Sequence, residues 1–562
     1  MRRVAAPLAA AVTAALTLIA IGPRADAGQT TGGQTTAGQT TAGQAAADQA
    51  AASKSTAGQT ADAQAAGFST EYQRIPGADG ISIGAVVLTP TGQGDGPFPL
   101  VVMPSSWGVP NAEYVGQGAK LATAGFQVIS YSSRGFWDTG GEIDIAGPPT
   151  VADVSKVIDW AGEHTPADTS RVAAVGISYG AGTALLAAAK DPRIKAVGAL
   201  SGWADLIRSL DPNDTVALQA VAGLLALGNI TGRPGPEMAS LQTKFVAGDF
   251  DGAIAEAKQL SPVRSAATIV DNLNANNPAV FLANAFEDSI FPPSQYTDFF
   301  TRLTGPKRLL LAHGDHATPE ASGAIGLPNE TWDELAGWLR HYLTGADNGA
   351  DREPPVQLKS QRGTWRGYAD WAAVGQARTS YLTKAGTLQG AASTGWSRAI
   401  GAGVPTLADS GVAFASGALQ GLLTIPTGVA TPLVDRSFAG VWSGPAFDRS
   451  AVVNGAAKLH LTVKPSAPDT SLFAYLYDVD ALGVGSLMAH KPYTLRGATP
   501  GQAVAIDVQL EATSWEVPAG HHLVLVVDTV DPRYLGRSVI GSTVTFSSPA
   551  GDPSTLSVPV AS

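Results

Sequence analysis

Cysteine is absent from this chain of 562 residues, and histidine occurs only 8 times. The absence of cysteine excludes disulfides, thiolate metal sites, cysteine nucleophiles and a lipidated cysteine anchor. Basic residues are scarce as well. The 36 Lys and Arg stand against 47 Asp and Glu, a net charge of −11, which argues against nucleic-acid binding because such proteins present a basic face. Apolar residues make up 44% of the chain, so most of it can bury a core.

The first 27 residues carry the pattern of a secretory signal peptide. Arg2 and Arg3 give a positive start, an apolar run covers residues 4–21, and Ala25-Asp26-Ala27 supplies small residues before a cleavage point. A membrane anchor is the alternative, since the run is about 20 residues long. The polar sequence that follows favours cleavage. We therefore expect a secreted, extracellular protein without stable membrane insertion.

Residues 28–66 repeat Gly-Gln-Thr-Thr-Ala and drift into Ala and Gln. The segment has almost no apolar bulk, so no core can offset the entropy lost on ordering it. The sequence predicts a disordered, low-complexity linker that acts as a flexible tether.

Between residues 67 and 349 short apolar strands alternate with helices. Near-continuous apolar strands between helices indicate a parallel sheet covered on both faces, that is, an α/β fold. Residues 204–277 interrupt this alternation with Ala- and Leu-rich helical sequence, which predicts a helical cap over the carboxyl edge of the sheet. The predicted strands are 85–89, 100–103, 127–131, 171–177, 195–200, 279–285 and 307–312.

Beyond residue 350 the pattern changes to strands whose apolar and polar residues alternate. Residues 459–463 and 504–510 show this alternation, and 523–527 is an apolar run between Gly and Pro turns. Such a pattern is typical of antiparallel strands. We predict that residues 350–562 form a β-sandwich.

A candidate nucleophile lies in Gly176-Ile177-Ser178-Tyr179-Gly180, which follows a predicted strand and opens a predicted helix. This is the context of the G-x-S-x-G nucleophile elbow, a sharp turn that needs small neighbours on both sides of the serine. Ser178 would project its hydroxyl above the sheet, and the backbone N–H of Tyr179 would point to the developing oxyanion. A chance Gly/Ser turn is the alternative.

The serine needs a base to remove its proton, and in this fold the base follows a late strand. Three histidines lie downstream within the α/β region. His341 falls inside a helix and His313 stands almost on the strand end. We choose His316, which lies on the loop after the strand 307–312.

The acid of such a triad should follow the strand 279–285, where Glu287 and Asp288 stand side by side. We choose Asp288 because it lies at the turn before a proline-marked helix start. Its role would be to hold the imidazole tautomer and to stabilise the imidazolium. Asp315 is adjacent to His316, and an adjacent side chain rarely points at its neighbour's ring, so we expect a supporting role in the loop.

Several motifs in this order resemble the cocaine-esterase-like and X-prolyl dipeptidyl-peptidase-like serine hydrolases. The resemblance covers about residues 75–550, and it implies an α/β-hydrolase domain, a helical cap, a C-terminal jelly roll and the triad Ser178, Asp288 and His316. The matching segments are the elbow with its Tyr179, Tyr131-Ser132-Ser133-Arg134-Gly135 with Gly140-Gly141, the helix from Asp153 to Asp159-Trp160, the pair Trp365 and Trp371, and Val517-Pro518-Ala519-Gly520-His521.

One departure from that family concerns the oxyanion hole. The family often places a tyrosine phenol there, just after a proline that ends a strand. Here Pro104 is followed by Ser105-Ser106-Trp107-Gly108. With no tyrosine present, we expect a backbone N–H or the hydroxyl of Ser105 or Ser106 to assist the N–H of Tyr179.

Three functions remain open from the sequence. The first is a secreted serine esterase that works through an acyl-enzyme on a small ester or short peptide, with no metal and no organic cofactor. The second is an X-prolyl dipeptidyl peptidase, which would need an acidic pair for the substrate amine; Asp205, Asp211 and Asp214 in the insertion are the candidates. The third is a catalytically inactive protein that binds cell wall or glycan.

Overall fold

The computed structural model describes residues 67–561. The predicted signal peptide (1–27) and the predicted linker (28–66) lie outside the described residues. Within 67–561 no helix is both long enough and apolar enough to cross a membrane.

A ten-stranded sheet forms the centre of the first domain, in the order β1-β2-β4-β3-β5-β6-β7-β8-β9-β10. Strands β3 to β9 run parallel to their neighbours, and the strands at both edges pair antiparallel. The strands are β1 Phe68–Pro76, β2 Ser82–Pro90, β3 Phe98–Pro104, β4 Gln127–Tyr131, β5 Ala167–Ile177, β6 Ile194–Leu200, β7 Ala279–Ala285, β8 Lys307–Ala312, β9 Val356–Lys359 and β10 Trp365–Tyr368.

Helices cover both faces of this sheet, as its apolar strands require. Apolar residues of α2, α3 and α9 pack on one face, and those of α1 and α11 pack on the other. The helices are α1 Val115–Thr123, α2 Pro148–His164, α3 Tyr179–Ala188, α4 Leu206–Leu210, α5 Leu218–Thr231, α6 Pro236–Ala247, α7 Phe250–Leu260, α8 Val270–Asn276, α9 Ser294–Arg302, α10 Ala321–Ala324 and α11 Glu330–Thr344.

The α/β-hydrolase architecture predicted for this region is confirmed. Strands β4, β7 and β8 have the predicted bounds, and Asn329 caps α11 by accepting the N–H of Trp332 at 3.1 Å. The predicted insertion 204–277 contains α4 to α8 and no strand among the described residues. Its helices α6 and α7 pack against each other as a hairpin joined at Gly248, whose φ of +77° closes α6.

The second domain is a sandwich of two antiparallel sheets, as the alternating pattern predicted. One sheet has the order β12-β11-β22-β16-β21-β13 with β19 also paired to β16, and the other has the order β14-β18-β17-β20-β15. Its strands are β11 Gln376–Leu382, β12 Leu388–Gln389, β13 Trp396–Gly401, β14 Gly428–Ala430, β15 Gly440–Ala446, β16 Ala451–Pro465, β17 Thr470–Val479, β18 Val484–Leu495, β19 Val504–Val517, β20 His522–Asp528, β21 Thr543–Ser548 and β22 Thr555–Val560.

The predicted boundary at residue 350 falls too early. Strands β9 and β10 lie beyond it, yet β9 pairs parallel with β8 and so extends the sheet of the first domain. The chain enters the sandwich only at β11, which begins at Gln376. The pattern could not show this, because short strands that extend a sheet edge carry the same alternation as sandwich strands.

The sandwich also sends one helix, α12 (Ser416–Leu423), against the first domain. A Cβ at Gly417 would lie 2.9 Å from the Cβ of Glu287, and one at Gly421 would lie 2.8 Å from the backbone oxygen of His313. Glycine therefore permits this close packing. The second domain covers the two loops in which the predicted base and acid lie.

Candidate active site

The turn between β5 and α3 holds Ser178 in an uncommon backbone conformation. Its φ is +56° and its ψ is −116°, a region that residues with a side chain rarely adopt. Two close approaches require glycine on either side. A Cβ on Gly176 would lie 2.5 Å from the carbonyl carbon of Gly180, and one on Gly180 would lie 2.1 Å from the oxygen of Pro104. The predicted elbow geometry is present.

Two loops after the strands β7 and β8 bring an imidazole and a carboxylate to this serine. Nε2 of His316 lies 2.7 Å from Oγ of Ser178, although 138 residues separate them. Nδ1 of His316 lies 3.0 Å from Oδ2 of Asp288. The structure thus assembles the three predicted residues in one hydrogen-bonded chain, with distances that permit proton transfer.

Asp288 is held by the backbone of its own turn. Its Oδ1 accepts the N–H of Ile290 at 2.9 Å and that of Phe291 at 2.8 Å. The ring of Phe291 then meets the ring of His316 edge-on, with centroids 5.3 Å apart. The carboxylate of Asp288 and the ring of Phe291, which both contact the imidazole of His316, are therefore held in place before a substrate binds.

The other residues considered for the acid and the base of the triad are hydrogen-bonded to other groups. Glu287 accepts a hydrogen bond from Nδ1 of His313 at 2.6 Å and from the N–H of Gly314 at 3.0 Å. Asp315 accepts the N–H of Ser289 at 2.9 Å and that of His316 at 2.8 Å. Nδ1 of His341, in α11, lies 3.0 Å from a backbone oxygen.

The charge of Asp288 governs the protonation of the imidazole. Burial alone would lower the pKa of His316, but the charge of Asp288 and the hydrogen bond to it outweigh burial and raise that pKa above its ordinary value. A raised pKa makes the imidazole a stronger base for the serine proton.

The predicted second oxyanion donors need correction. The N–H of Ser105 donates to the backbone oxygen of Tyr131, and the hydroxyl of Ser105 donates to the hydroxyl of Ser133 at 3.5 Å. The N–H and hydroxyl of Ser106 both donate to the carboxylate of Glu113, at 2.7 and 2.5 Å. Neither serine therefore offers a free donor, because loop closure after β3 uses these groups.

Two other N–H groups are available near Ser178. Among residues 67–561, neither the N–H of Tyr179 nor that of Trp107 donates to another group. Trp107 lies on the loop after β3 and borders the same cavity as Ser178. No residue pattern indicates that Trp107, rather than Ser105 or Ser106, has the free N–H on this loop.

Two carboxyl groups beside the site, the half-buried Glu113 and the buried Glu320, could not be predicted from the sequence. Burial raises the pKa of Glu113 and that of Glu320 to about 7 in each case. The charge of His316 opposes both shifts, which places the two groups within its electrostatic reach. Oε2 of Glu320 accepts the hydroxyl of Ser201 at 3.0 Å. No motif marks these residues, since each faces the site only through tertiary packing.

A cavity of about 170 Å³ lies above Ser178, between the sheet edge and the cap. Side chains of α5, α6 and α7 form its roof, and nearly all of them are apolar. Asp211 is the one carboxylate on its wall, and its Oδ2 lies 3.4 Å from Nζ of Lys258.

The other two acids considered for amine binding do not border this cavity. The carboxylate of Asp205 caps α4 by accepting the N–H of Arg208, and that of Asp214 lies 2.9 Å from Nζ of Lys258. The acidic pair that a dipeptidyl peptidase would need is therefore absent from the described wall.

Two family models match the chain in succession. The model of the X-Pro dipeptidyl-peptidase family S15 matches residues 79–318, and that of the X-Pro dipeptidyl-peptidase C-terminal non-catalytic domain matches residues 348–548. The first match contains Ser178, Asp288 and His316.

Individual relatives are distant. A Streptomyces avermitilis protein named "Putative Xaa-Pro dipeptidyl-peptidase" is 25% identical over 304 residues, which is 45% of this chain and 44% of that protein. The chain spans less than half the length of the first curated relatives it matches. An aminopeptidase structure from a Thaumarchaeota archaeon has a TM-score of 0.70 at 16% identity, covering 88% of this chain and 97% of the other. A CocE/NonD family hydrolase from Staphylococcus aureus has a TM-score of 0.67 at 14% identity, with 88% and 94% covered.

The fold and the site together define a serine hydrolase of the α/β-hydrolase type with a C-terminal β-sandwich. Within that class, the two models matched in succession assign the chain to the X-prolyl dipeptidyl-peptidase-like (S15) serine hydrolases, one of the two groups that the sequence motifs implied. It shares its fold with the CocE/NonD family hydrolase.

Proposed function

We propose that this protein hydrolyses carboxylic esters through an acyl-enzyme intermediate, with Ser178 as nucleophile, His316 as base and Asp288 as the acid that orients it. One observation carries the proposal: Oγ of Ser178, 2.7 Å from Nε2 of His316, opens into an apolar cavity. Such a cavity suits an uncharged ester better than a peptide with a free amine.

The steps follow from the geometry. Nε2 of His316 takes the proton of Ser178 as Oγ attacks the ester carbon, and the charge of Asp288 stabilises the imidazolium. The imidazolium then gives this proton to the leaving alcohol oxygen as its bond to carbon breaks. A water molecule attacks the acyl-enzyme by the same route, which releases the acid and restores the serine.

The developing oxyanion needs two donors. The N–H groups of Tyr179 and Trp107 are the candidates, because neither has another acceptor in the described part of the chain. Glu113 supports this role, since its hold on Ser106 fixes the loop that presents Trp107.

A second candidate function, X-prolyl dipeptidyl peptidase, is favoured by the names of the two family models. The cavity wall argues against this function, because Asp211 is the one acidic residue among those described on it and lies 3.4 Å from Nζ of Lys258. An inactive binding protein has no comparable support, because the serine, imidazole and carboxylate are aligned.

The test compares p-nitrophenyl butyrate with Gly-Pro-p-nitroanilide, and the Ser178→Ala variant supplies the background rate for each. We expect enzymatic turnover of the ester and turnover of the anilide at or near background. A higher kcat/KM for the anilide would establish the dipeptidyl peptidase instead.

We also propose that the protein acts outside the cell. The support is the signal-peptide pattern of residues 1–27. Mass spectrometry of the protein from culture medium should find an N-terminus at Gly28. An intact N-terminus in the cell fraction would contradict export.

A further inference from the structure

The cap helices turn apolar faces towards the cavity, where no other described segment of the chain packs against them. On α7, Phe250, Ala253, Ile254, Ala257 and Leu260 fall on one face and border the cavity above Ser178. None of the residues of α7 is fully buried, although this face is apolar. A helix normally buries such a face against a core, so its exposure to a cavity indicates that a ligand completes the packing.

The side chains of α6 and α5 that border the cavity are also apolar. Met238, Leu241 and Phe245 of α6 border the cavity, as do Leu224 and Leu225 of α5. The aromatic rings of Trp107, Tyr179, Trp203 and Phe291 form its floor around the serine.

The two charged residues on the wall differ in how completely they are paired. Arg264 donates to the backbone oxygens of Asp144 and Leu260 and pairs with Glu237. Asp211 lies 3.4 Å from Nζ of Lys258, and burial raises its pKa to about 6. Neither carboxylate oxygen of Asp211 has a hydrogen-bond partner among the described residues, and Lys258 also pairs with Asp214 at 2.9 Å. An anionic group of a substrate would therefore lose its hydration in this cavity without gaining a free counter-ion.

The residues that border the cavity favour the acyl side of the reacting carbon. The oxyanion candidates Trp107 and Tyr179 border it, whereas His316 does not. The leaving oxygen must lie next to the imidazole, because it receives its proton from Nε2. The group that fills the cavity is consequently the part that stays on Ser178.

We propose that the substrates are esters of hydrophobic carboxylic acids, whose hydrocarbon part is held between α5, α6 and α7. This inference rests on the proposed esterase function. Apolar protein cavities of about 150 Å³ hold a benzene ring, and this one measures about 170 Å³. An acyl group with roughly six to eight carbons matches that size.

The first experiment uses the unmodified enzyme and p-nitrophenyl esters from acetate to dodecanoate. Each methylene buried in the cavity should raise kcat/KM about fourfold, the equivalent of about 0.8 kcal/mol. The rise should stop near hexanoate to octanoate. A flat or falling series would overturn the inference, as would faster hydrolysis of an acyl chain ending in an amine.

The second experiment reduces the cavity. Ala257→Phe fills the wall of α7 and should lower the octanoate-to-acetate ratio of kcat/KM at least tenfold. Ala255→Phe is the matched control, because Ala255 is exposed on the same helix and does not border the cavity. An equal effect of both substitutions, or none from Ala257→Phe in folded protein, would overturn the assignment.

Two readouts separate the possible failures. Labelling of Ser178 by a fluorophosphonate, and hydrolysis of the acetate ester, report on the proposed serine chemistry whatever the acyl preference. Alkyl acetates of increasing alcohol length test the acyl placement. A rise along that series, with a flat acyl series, would place the hydrocarbon on the alcohol side and overturn the proposal.

Discussion

Below Ser178, the sheet edge gathers the carboxyl groups of Asp288, Glu287, Asp315, Glu113 and Glu320. The cap surface that lines the cavity above Ser178 is almost wholly apolar. Every one of these carboxylates accepts a hydrogen bond, and the groups are held by short loops that follow strands. The cap helices make few such bonds around the cavity. The floor can therefore fix the geometry of a reaction, whereas the roof can select a substrate only by shape and apolar contact.

The largest effect should come from removing the nucleophile. Ser178→Ala should lower kcat for p-nitrophenyl butyrate about 10⁶-fold, because no other group in the floor can form the acyl-enzyme. Steady-state assays measure this, and a melting curve checks folding. Residual activity above about 1% would mean that another residue acts as the nucleophile.

The next largest effect concerns the acid in the floor. Asp288→Asn should lower kcat about 10⁴-fold, since an amide favours the wrong imidazole tautomer. Glu287→Gln is the matched control, because Glu287 bonds to His313 and not to His316; we expect less than a tenfold loss. The reverse order would make Glu287 the acid.

The buried carboxyl groups of the floor should cost stability at high pH. Burial raises the pKa of Glu320 from 4.5 to about 7, so its folded form favours the protonated state. The contribution of the raised pKa to the free energy of unfolding is fully present below pH 4.5. Roughly 3 kcal/mol of this stability is lost as the pH rises through 7. Glu320→Gln should therefore gain stability relative to wild type between pH 5 and 8.5.

Urea denaturation at both pH values measures this gain. The exposed Glu163→Gln serves as control, because an exposed carboxyl group loses little hydration on folding. A constant difference between Glu320→Gln and wild type would contradict the raised pKa.

The pH dependence of catalysis should also reflect the floor. His316 must be neutral to act as base, and its pKa is raised, mainly by Asp288 against the effect of burial. Activity should consequently fall on the acidic side, with the midpoint of kcat/KM above the ordinary imidazole value of 6.5. A midpoint below 6.5 would mean that burial prevails over Asp288.

The smallest effect should come from the one acid in the roof. Asp211→Asn should change kcat/KM for p-nitrophenyl butyrate by less than about threefold, because this ester carries no charge that could interact with Asp211. A loss above 100-fold with an amine-bearing substrate only would show that Asp211 binds an amine, and the contrast between floor and roof would fail.

Features that depend on residues close together in the chain were predicted correctly. The alternation of strand and helix predicted β4, β7 and β8 with their bounds, and the small residues around Ser178 predicted the elbow. The order of serine, acid and histidine along the chain then indicated His316 and Asp288. Each of these inferences used a loop directly after a strand, where chain order limits the position of a side chain.

Reasoning failed where distant segments meet. Ser105 and Ser106 stood at the right place for oxyanion donors, but Glu113 and Tyr131 take their hydrogen bonds. Strands β9 and β10 join the first sheet because β8 offers a free edge, which no residue pattern announces. The raised pKa values of Glu113 and Glu320 depend on burial, which is a property of the packed molecule.

Reaction of the folded protein with a fluorophosphonate probe, read by peptide mass spectrometry, tests the central claim most directly. We expect one label per chain, on Ser178, and a large loss of labelling rate in His316→Ala. Unlabelled folded protein, or a label that forms equally fast without His316, would show that His316 does not activate Ser178 as a nucleophile.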